Sequence, residues 1–317
     1  MRTLSAYASL CTDFMLKGVM ETIIKESPVL NFLPFRELVG NSIVQNWEKT
    51  LPTVAWRNVG EAITESSGET VDMSFILKIL IGDVDTDCFA ARTRSNINDQ
   101  HEVDVEMKAK AMAHEFEDTF IYGVASGSKE FNGLHYLAST YGTSAGFGAT
   151  DSKCLHAGTG STDGSLTTTL LDDLVDLVPN ADILLMRKSI RGKLTRYLRG
   201  VGSYMSSREL FGHTWPCWGN AEVPIVTSDF LLQTEAISAT VYNAKTGGTG
   251  TSIFAIRFGD GDGVCGLQGG EMWKRHWPEL EGKNAMRTRF GWYVGLMTYQ
   301  PDALAQIDGI ANDTVSA

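Results

Sequence analysis

Asp260-Gly-Asp-Gly263 sets two carboxylates two residues apart between glycines, a pattern that could hold calcium. A calcium loop needs further oxygen ligands and a late glutamate. Neither follows here, and the segment reads as a turn between two short strands. Gly158-Thr-Gly-Ser-Thr-Asp-Gly164 offers backbone N–H groups to a phosphate. It lacks the Gly-Lys-Ser/Thr ending of a Walker loop and the strand and glycine spacing of a dinucleotide turn. It reads as a linker before a helix. His114-Glu115 opens like a zinc helix, but position 118 is Asp where the second histidine is needed. Cys11, Cys88, Cys154, Cys217 and Cys265 are scattered without a close pair. That argues against a disulfide framework and a zinc site, so they read as reduced thiols. Gly142-Thr-Ser-Ala-Gly146 spells Gly-x-Ser-x-Gly, but in a Gly/Ser/Thr-rich stretch that reads as loops it is not the strand-to-helix elbow that pattern needs, and no cysteine-histidine signature is defensible. The sequence nominates no catalytic, cofactor-binding or metal-ligating residue, and no cofactor.

Charge is more informative. The 317 residues carry 27 Lys/Arg against 38 Asp/Glu, a net charge of −11, with 43 % apolar and 21 % charged residues. This is the balance of a packed globular chain, large enough for about two domains. Phosphate affinity comes from clustered Lys and Arg, so an acidic chain is not a general nucleic-acid binder. No apolar run approaches the ~18 residues of a membrane helix. No signal peptide is evident either, and use without crossing a membrane is expected. Glycine, 32 of 317 residues, exceeds the usual ~7 % and suggests many turns.

The charge is uneven. Glu61 to Phe120 holds fourteen acids and five bases, whereas Arg187 to Arg199 holds six bases (Arg187, Lys188, Arg191, Lys193, Arg196, Arg199) and no acid. The basic segment has one aromatic, Tyr197, too few for nucleic-acid stacking. It fits a surface that meets the acidic stretch of another copy at least as well. A solvated face is the commonest use of such a run.

The elements that would position these groups follow from periodicity. Phe14, Val19 and Ile23 suggest a short amphipathic helix in an arm that Pro28 and Pro34 interrupt. Ile43, Val44 and Trp47 begin a strand expected to run past Pro52 to Val54 and Trp56. Val71, Met73, Phe75, Leu77, Ile79 and Ile81 alternate onto one face of the returning strand. The intervening tip, Arg57–Thr70, carries Glu61, Glu65 and Glu69. A long isolated hairpin is marginal in water, so its apolar face needs a partner.

Val105, Ala109, Met112, Phe116 and Phe120 form an apolar stripe at helical period, with acids in the first turns and Gly123 as a stop. Residues 123–164 read as loops with short strands. A helix capped by Ser165 follows, with Leu166, Leu170, Leu174, Leu177 and Val178 inward. Then come a buried strand Ile183–Met186 and the basic helix Lys188–Arg199. Short strands Val223–Val226, Ile253–Phe258 and Val264–Leu267 precede an aromatic strand Arg289–Tyr299. The order is that of a mixed α+β chain.

An arm, a long hairpin, a spine helix, a mixed α/β domain and a returning strand occur here in the order of the tailed-phage major capsid proteins. Leu170-Leu-Asp-Asp-Leu, Asp182-Ile-Leu-Leu-Met-Arg-Lys, Leu194-Thr-Arg-Tyr-Leu-Arg, Val223-Pro-Ile-Val-Thr-Ser-Asp229, Ser252-Ile-Phe-Ala-Ile-Arg-Phe258 and Arg289-Phe-Gly-Trp-Tyr-Val-Gly-Leu resemble that family locally. The chain is similar to the fold named after phage Hong Kong ninety-seven, which encapsulins share. The resemblance implies an N-terminal arm (1–40), an extended hairpin loop (41–82) and a peripheral domain (83–164) with its spine helix at about 98–122. It further implies an axial domain (165–280), then a return strand to the peripheral domain and the C-terminus (281–317).

It also implies a non-catalytic subunit of an icosahedral phage head, built of pentamers and hexamers around double-stranded DNA. The chain would be located in the virion and assembled in the host cytoplasm. Partners implied are other copies of the chain, a separate scaffolding protein, a portal and a decoration protein, with only non-specific contacts to DNA and none to membrane. Lys49 and Lys78 lie in strands and the tip has no lysine, so no covalent cross-link is expected. Expected intersubunit residues are Trp47, Arg57, Glu61, Glu65, Glu69, Phe75, Leu77, Arg187, Arg191, Arg196 and Arg199. Alternatives are an encapsulin-type compartment shell and an acidic soluble α/β hydrolase.

Overall fold

A computed structural model describes residues 29–94, 100–141, 153–158, 162–210, 212–219, 222–235, 250–313 and 315–316. The arm helix expected around Phe14, Val19 and Ile23 lies outside these residues, as does the centre of the 158–164 loop. The first described elements are a single helical turn α1 (Val29–Phe32) and β1 (Phe35–Glu37).

Two sheets organise the chain. In the first, β13 (Ala285–Thr298) is central. Along one edge it pairs antiparallel with β4 (Lys78–Asp87). Along the other it pairs with β12 (Trp273–Trp277) and then with β11 (Val264–Gln268), onto which β1 adds in parallel. The second sheet has seven strands. In spatial order these are β5 (Cys154–His156), β14 (Leu304–Ile310), β10 (Thr251–Ile256), β6 (Ile183–Met186), β9 (Val223–Thr227), β8 (His213–Trp218) and β7 (Ser207–Leu210).

Sheet membership cuts across the segment bounds expected from the sequence. β11 and β12, within 165–280, belong to the first sheet, whereas β14, within 281–317, and β5, within 83–164, belong to the second. Hydrogen-bond partners are chosen by space, which contiguity in the sequence does not encode.

After a short helix α2 (Cys88–Arg94), the spine helix α3 (Gln100–Tyr122) is 23 residues long, about 35 Å at ~1.5 Å per residue. It crosses the inner face of the first sheet. Met112 packs with Val84 and Phe290, and the Phe116 ring lies 4.9 Å from that of Trp292. Gly82 makes the approach close, since a Cβ there would stand 2.7 Å from Lys108 Cε and 3.2 Å from Met112 Sδ. The buried stripe runs through Asp104, Met112, Phe116 and Phe120. Ala109, expected on it, is exposed. Below Met112 a polar seam replaces apolar contact: Thr86 donates to Asp104 (3.2 Å), and His101 bridges Thr86 (3.0 Å) and Thr288 (2.7 Å).

The seven-stranded sheet is covered on both faces. α5 (Thr168–Asp176) and α6 (Lys188–Val201) bury Leu171, Leu174, Ile190 and Leu194 against Leu184, Ile225, Ile253 and Ile307 on one side. Thr167, not Ser165, caps α5, its hydroxyl accepting from the Leu170 N–H at 3.1 Å. Gly202, left-handed at φ 78°, closes α6, as a helix C-terminus favours. On the other face lie the end of α3 and α4 (Leu134–Tyr141), a helix in a segment expected to be loops. Eight residues give too few turns for a periodic signal to stand out.

A carboxylate closes this second core. Glu235, 1 % exposed, accepts the hydroxyls of Tyr122 (2.6 Å) and Ser252 (2.5 Å). His135 Nε2 lies 3.5 Å away. Tyr122 also accepts the Leu232 N–H at 2.9 Å. Desolvation pushes the Glu235 carboxyl up to about 7 and the His135 imidazole down to about 3. The end of the spine helix is thus tied to the segment leaving β9 and to β10.

Candidate assembly surfaces

The hairpin consists of β2 (Ser42–Thr50) and β3 (Glu69–Ile76), antiparallel with Ser42 opposite Ile76. Its base belongs to this chain's own core. Trp47 is 5 % exposed and Phe75 3 %, both part of the buried cluster that includes Met73, Leu33 and Leu296. Burial removes Trp47 and Phe75 from the surface they were expected to offer a neighbour. Leu77 is half-buried at the junction where β3 gives way to β4. Beyond it the strand pairs with β13, and Leu80, Gly82 and Val84 face the spine helix. Ile79 and Ile81, expected on the same buried face as Phe75, are therefore 66 % and 47 % exposed.

Past Thr50 the chain leaves the ladder, and β2 does not continue to Trp56 as expected. Every residue from Leu51 to Gly68 is exposed. A local turn is tied by Glu61, whose carboxylate accepts the Asn58 backbone N–H at 2.8 Å and side-chain N–H at 3.2 Å. These bonds lower its pKa. Arg57 donates to the Glu61 carbonyl at 3.0 Å, and Glu69 pairs with Lys49 at 3.0 Å. Glu65 is exposed. Among these polar groups Leu51, Val54, Trp56, Val59 and Ile63 stand 74–106 % exposed. Sequence reasoning found the charged residues of the tip and missed its apolar ones, having assigned Val54 and Trp56 to a strand. Their signal is an apolar set flanked by Pro52 and Gly60, where no strand partner exists.

The outer face of the first sheet is a second exposed surface. Ile79, Ile81, Met272 and Tyr293 lie uncovered on or beside it. Arg287 grips Asp85 with two bonds of 2.6 Å, and Arg289 grips Asp83 with bonds of 2.6 and 2.7 Å. These pairs hold both carboxyls below the usual range. Trp273 lies flat over Gly291, where a Cβ would stand 2.2 Å from the indole.

The basic helix is the third surface. Arg196 and Arg199 are exposed and Arg191 is half-exposed. Arg187, expected at an interface, instead donates to the Leu231 carbonyl within this chain, and Lys193 donates to Asn312. The carboxylates of Asp260 and Asp262 are engaged internally. Tyr299 donates to Asp260 at 2.7 Å, and Arg257 lies 3.7 Å from Asp262. Among the described residues no group of three His, Cys, Asp or Glu side chains is arranged to hold a metal ion.

No protein-family model matches this sequence, and no curated protein matches it. Solved structures do. The holo-SrpI encapsulin complex from Synechococcus elongatus superposes with a TM-score of 0.65 at 16 % identity, over 100 % of this chain and 98 % of that one. The capsid of a native GTA particle gives 0.62 at 12 % identity, covering 98 % and 100 %. That of cyanophage P-SCSP1u gives 0.61 at 14 % identity, covering 93 % and 91 %. The chain has the tailed-phage major capsid fold. That α+β fold accounts for the extended hairpin and the spine helix as parts of one architecture.

Proposed function

We propose that this chain is a shell-forming subunit without catalytic activity: a major capsid protein whose copies form the pentamers and hexamers of an icosahedral phage head enclosing double-stranded DNA. The observation that carries this reading is the hairpin tip. Five large apolar side chains stand almost fully in solvent on an arm that its own core holds only at the base. Removing each from water is worth about 1.5–3 kcal/mol. A patch of this kind marks a surface that another molecule covers. A second copy is the partner that the capsid fold supplies. The expected further partners are a scaffolding protein, a portal and a decoration protein. The net charge of −11 keeps contact with packaged DNA non-specific. The chain would then reside in the virion, assembled in the host cytoplasm.

Negative-stain electron microscopy and light scattering of the purified protein test the proposal. Closed shells or rings of five and six copies are expected. A persistent monomer at high concentration, at varied salt and with candidate scaffold added would overturn it. A second reading, an encapsulin-type compartment, is favoured by the full-length superposition on an encapsulin. Shells from the native source that protect nucleic acid from nuclease support the phage reading, and shells filled with a protein cargo support the second.

A further inference from the structure

Two surfaces of opposite charge lie beside the seven-stranded sheet, one on the outward face of α6 and one in the groove between α5 and the end of α6. α6 buries Ile190 and Leu194, so Lys188, Gly192, Arg196 and Arg199 follow one another along its outward face. Desolvation lowers the Lys193 pKa, nearby Asp313 opposes the shift and Arg196 adds to it. No acid lies on this helix.

The acidic surface is a groove of about 880 Å³. Its walls include Val175, Leu198, Met205 and Trp218, and its rim carries Asp172, Asp176 and Glu222. Asp173, next to them on α5, is exposed. Asp172 accepts the Trp218 indole N–H at 2.9 Å. No ion pair links Asp173 or Asp176 to Arg196 or Arg199 among the described residues.

A further feature points to close approach by another body. Gly192 and Gly200 sit within α6, and a Cβ at either would meet nothing within 4 Å. Among the described residues no neighbour requires their small size. An interior helical glycine costs ~1 kcal/mol relative to alanine.

We infer that the outward face of α6 in one copy seats against the acid-rimmed groove beside α5 in the next copy. This inference rests on the self-assembly proposed above and names the contact. It replaces the acidic stretch Glu61–Phe120 as the partner of the basic helix. Repeated head-to-tail from one copy to the next, this contact closes into rings when the rotation permits. Complementary charge would set register and exclude inverted approaches.

Charge exchange tests it. Arg196→Glu with Arg199→Glu sets two acids against the acidic rim, and Asp173→Lys with Asp176→Lys sets two bases against the basic helix. All four residues are exposed, so circular dichroism and the melting temperature should match the wild type. Each double variant alone is expected to lose ring formation, the contact weakening on the order of tenfold or more. The loss should shrink in high salt, where the Debye length falls to ~3 Å. Mixing the two double variants restores complementarity only between unlike neighbours. Rings with an even number of copies should therefore return while odd rings stay absent. The quadruple variant should restore both. Gly192→Leu adds bulk without charge and should also block rings while the subunit stays folded. Wild-type assembly with unchanged assembly of either double variant refutes the inference and leaves the shell reading standing. Failure of the quadruple variant and the mixture to assemble also refutes it. Failure of the wild type itself would instead refute the shell reading.

Discussion

Glu235 makes stability depend on pH in a direction opposite to most carboxylates. Its carboxyl is 1 % exposed and is shifted from 4.5 to about 7, chiefly by desolvation. The facing groups are Tyr122, Ser252, the neutral His135 and, at longer range, Asp308. Below about pH 4.5 the group is protonated in the folded and unfolded states alike, and the fold keeps its full stability. Between about 4.5 and 7 only the folded state holds the proton. Stability then falls by ~1.4 kcal/mol per pH unit, about 3 kcal/mol in all, and levels off above 7. Glu235→Gln removes the titration while its amide oxygen still accepts the Tyr122 hydroxyl and its amide nitrogen donates to Ser252. Urea midpoints of both proteins at about pH 5 and about pH 8 measure the effect. With an m-value of ~3 kcal/mol/M, the wild-type midpoint should fall ~1 M further than that of the variant. Other titrating groups act equally in both proteins and cancel in this difference. Equal shifts in the two proteins would refute the buried, proton-holding carboxyl.

Three further outcomes are expected. Val54→Ser with Trp56→Ser, both at fully exposed positions, should leave subunit stability within about 0.5 kcal/mol yet abolish shells in electron micrographs. Gly133→Ala should destabilise by about 2 kcal/mol or more in urea titration. Its methyl would stand 2.6 Å from the Thr119 carbonyl oxygen and 2.8 Å from that of Phe120, both backbone. Asp83 and Asp85 are held below the usual 3.8 by Arg289 and Arg287. Their contribution is therefore present above about pH 4 and lost as pH falls below it. Asp83→Asn with Asp85→Asn should flatten the acid limb of the stability curve, while a variant with the wild-type acid limb would refute the coupling.

Burial periodicity carried much of the fold into the sequence. Ile183–Met186 is a strand buried on both faces, and four consecutive apolar residues between Asp182 and Arg187 leave little alternative. Lys188–Val201 declares itself by Ile190 and Leu194 inward with bases outward. The spine helix is equally plain, because its Met112, Phe116 and Phe120 repeat at helical period. The split of charge between Glu61–Phe120 and Arg187–Arg199 also belongs to the sequence alone. So does the order of elements that resembles the capsid fold.

Partner choice belongs to the tertiary structure. The alternation from Val71 to Ile81 is uniform in sequence, yet the strand changes neighbours at Leu77. Phe75 then faces this chain's core, while Ile79 faces solvent. Arg187 and Arg196 are alike in the text, but among the described residues only Arg187 finds a carbonyl. Strands β7, β8, β12 and β14 are visible only through the neighbours that complete their hydrogen bonds. Local pattern determines which side of an element avoids water, whereas long-range packing decides which part of the chain, or which other copy, covers it.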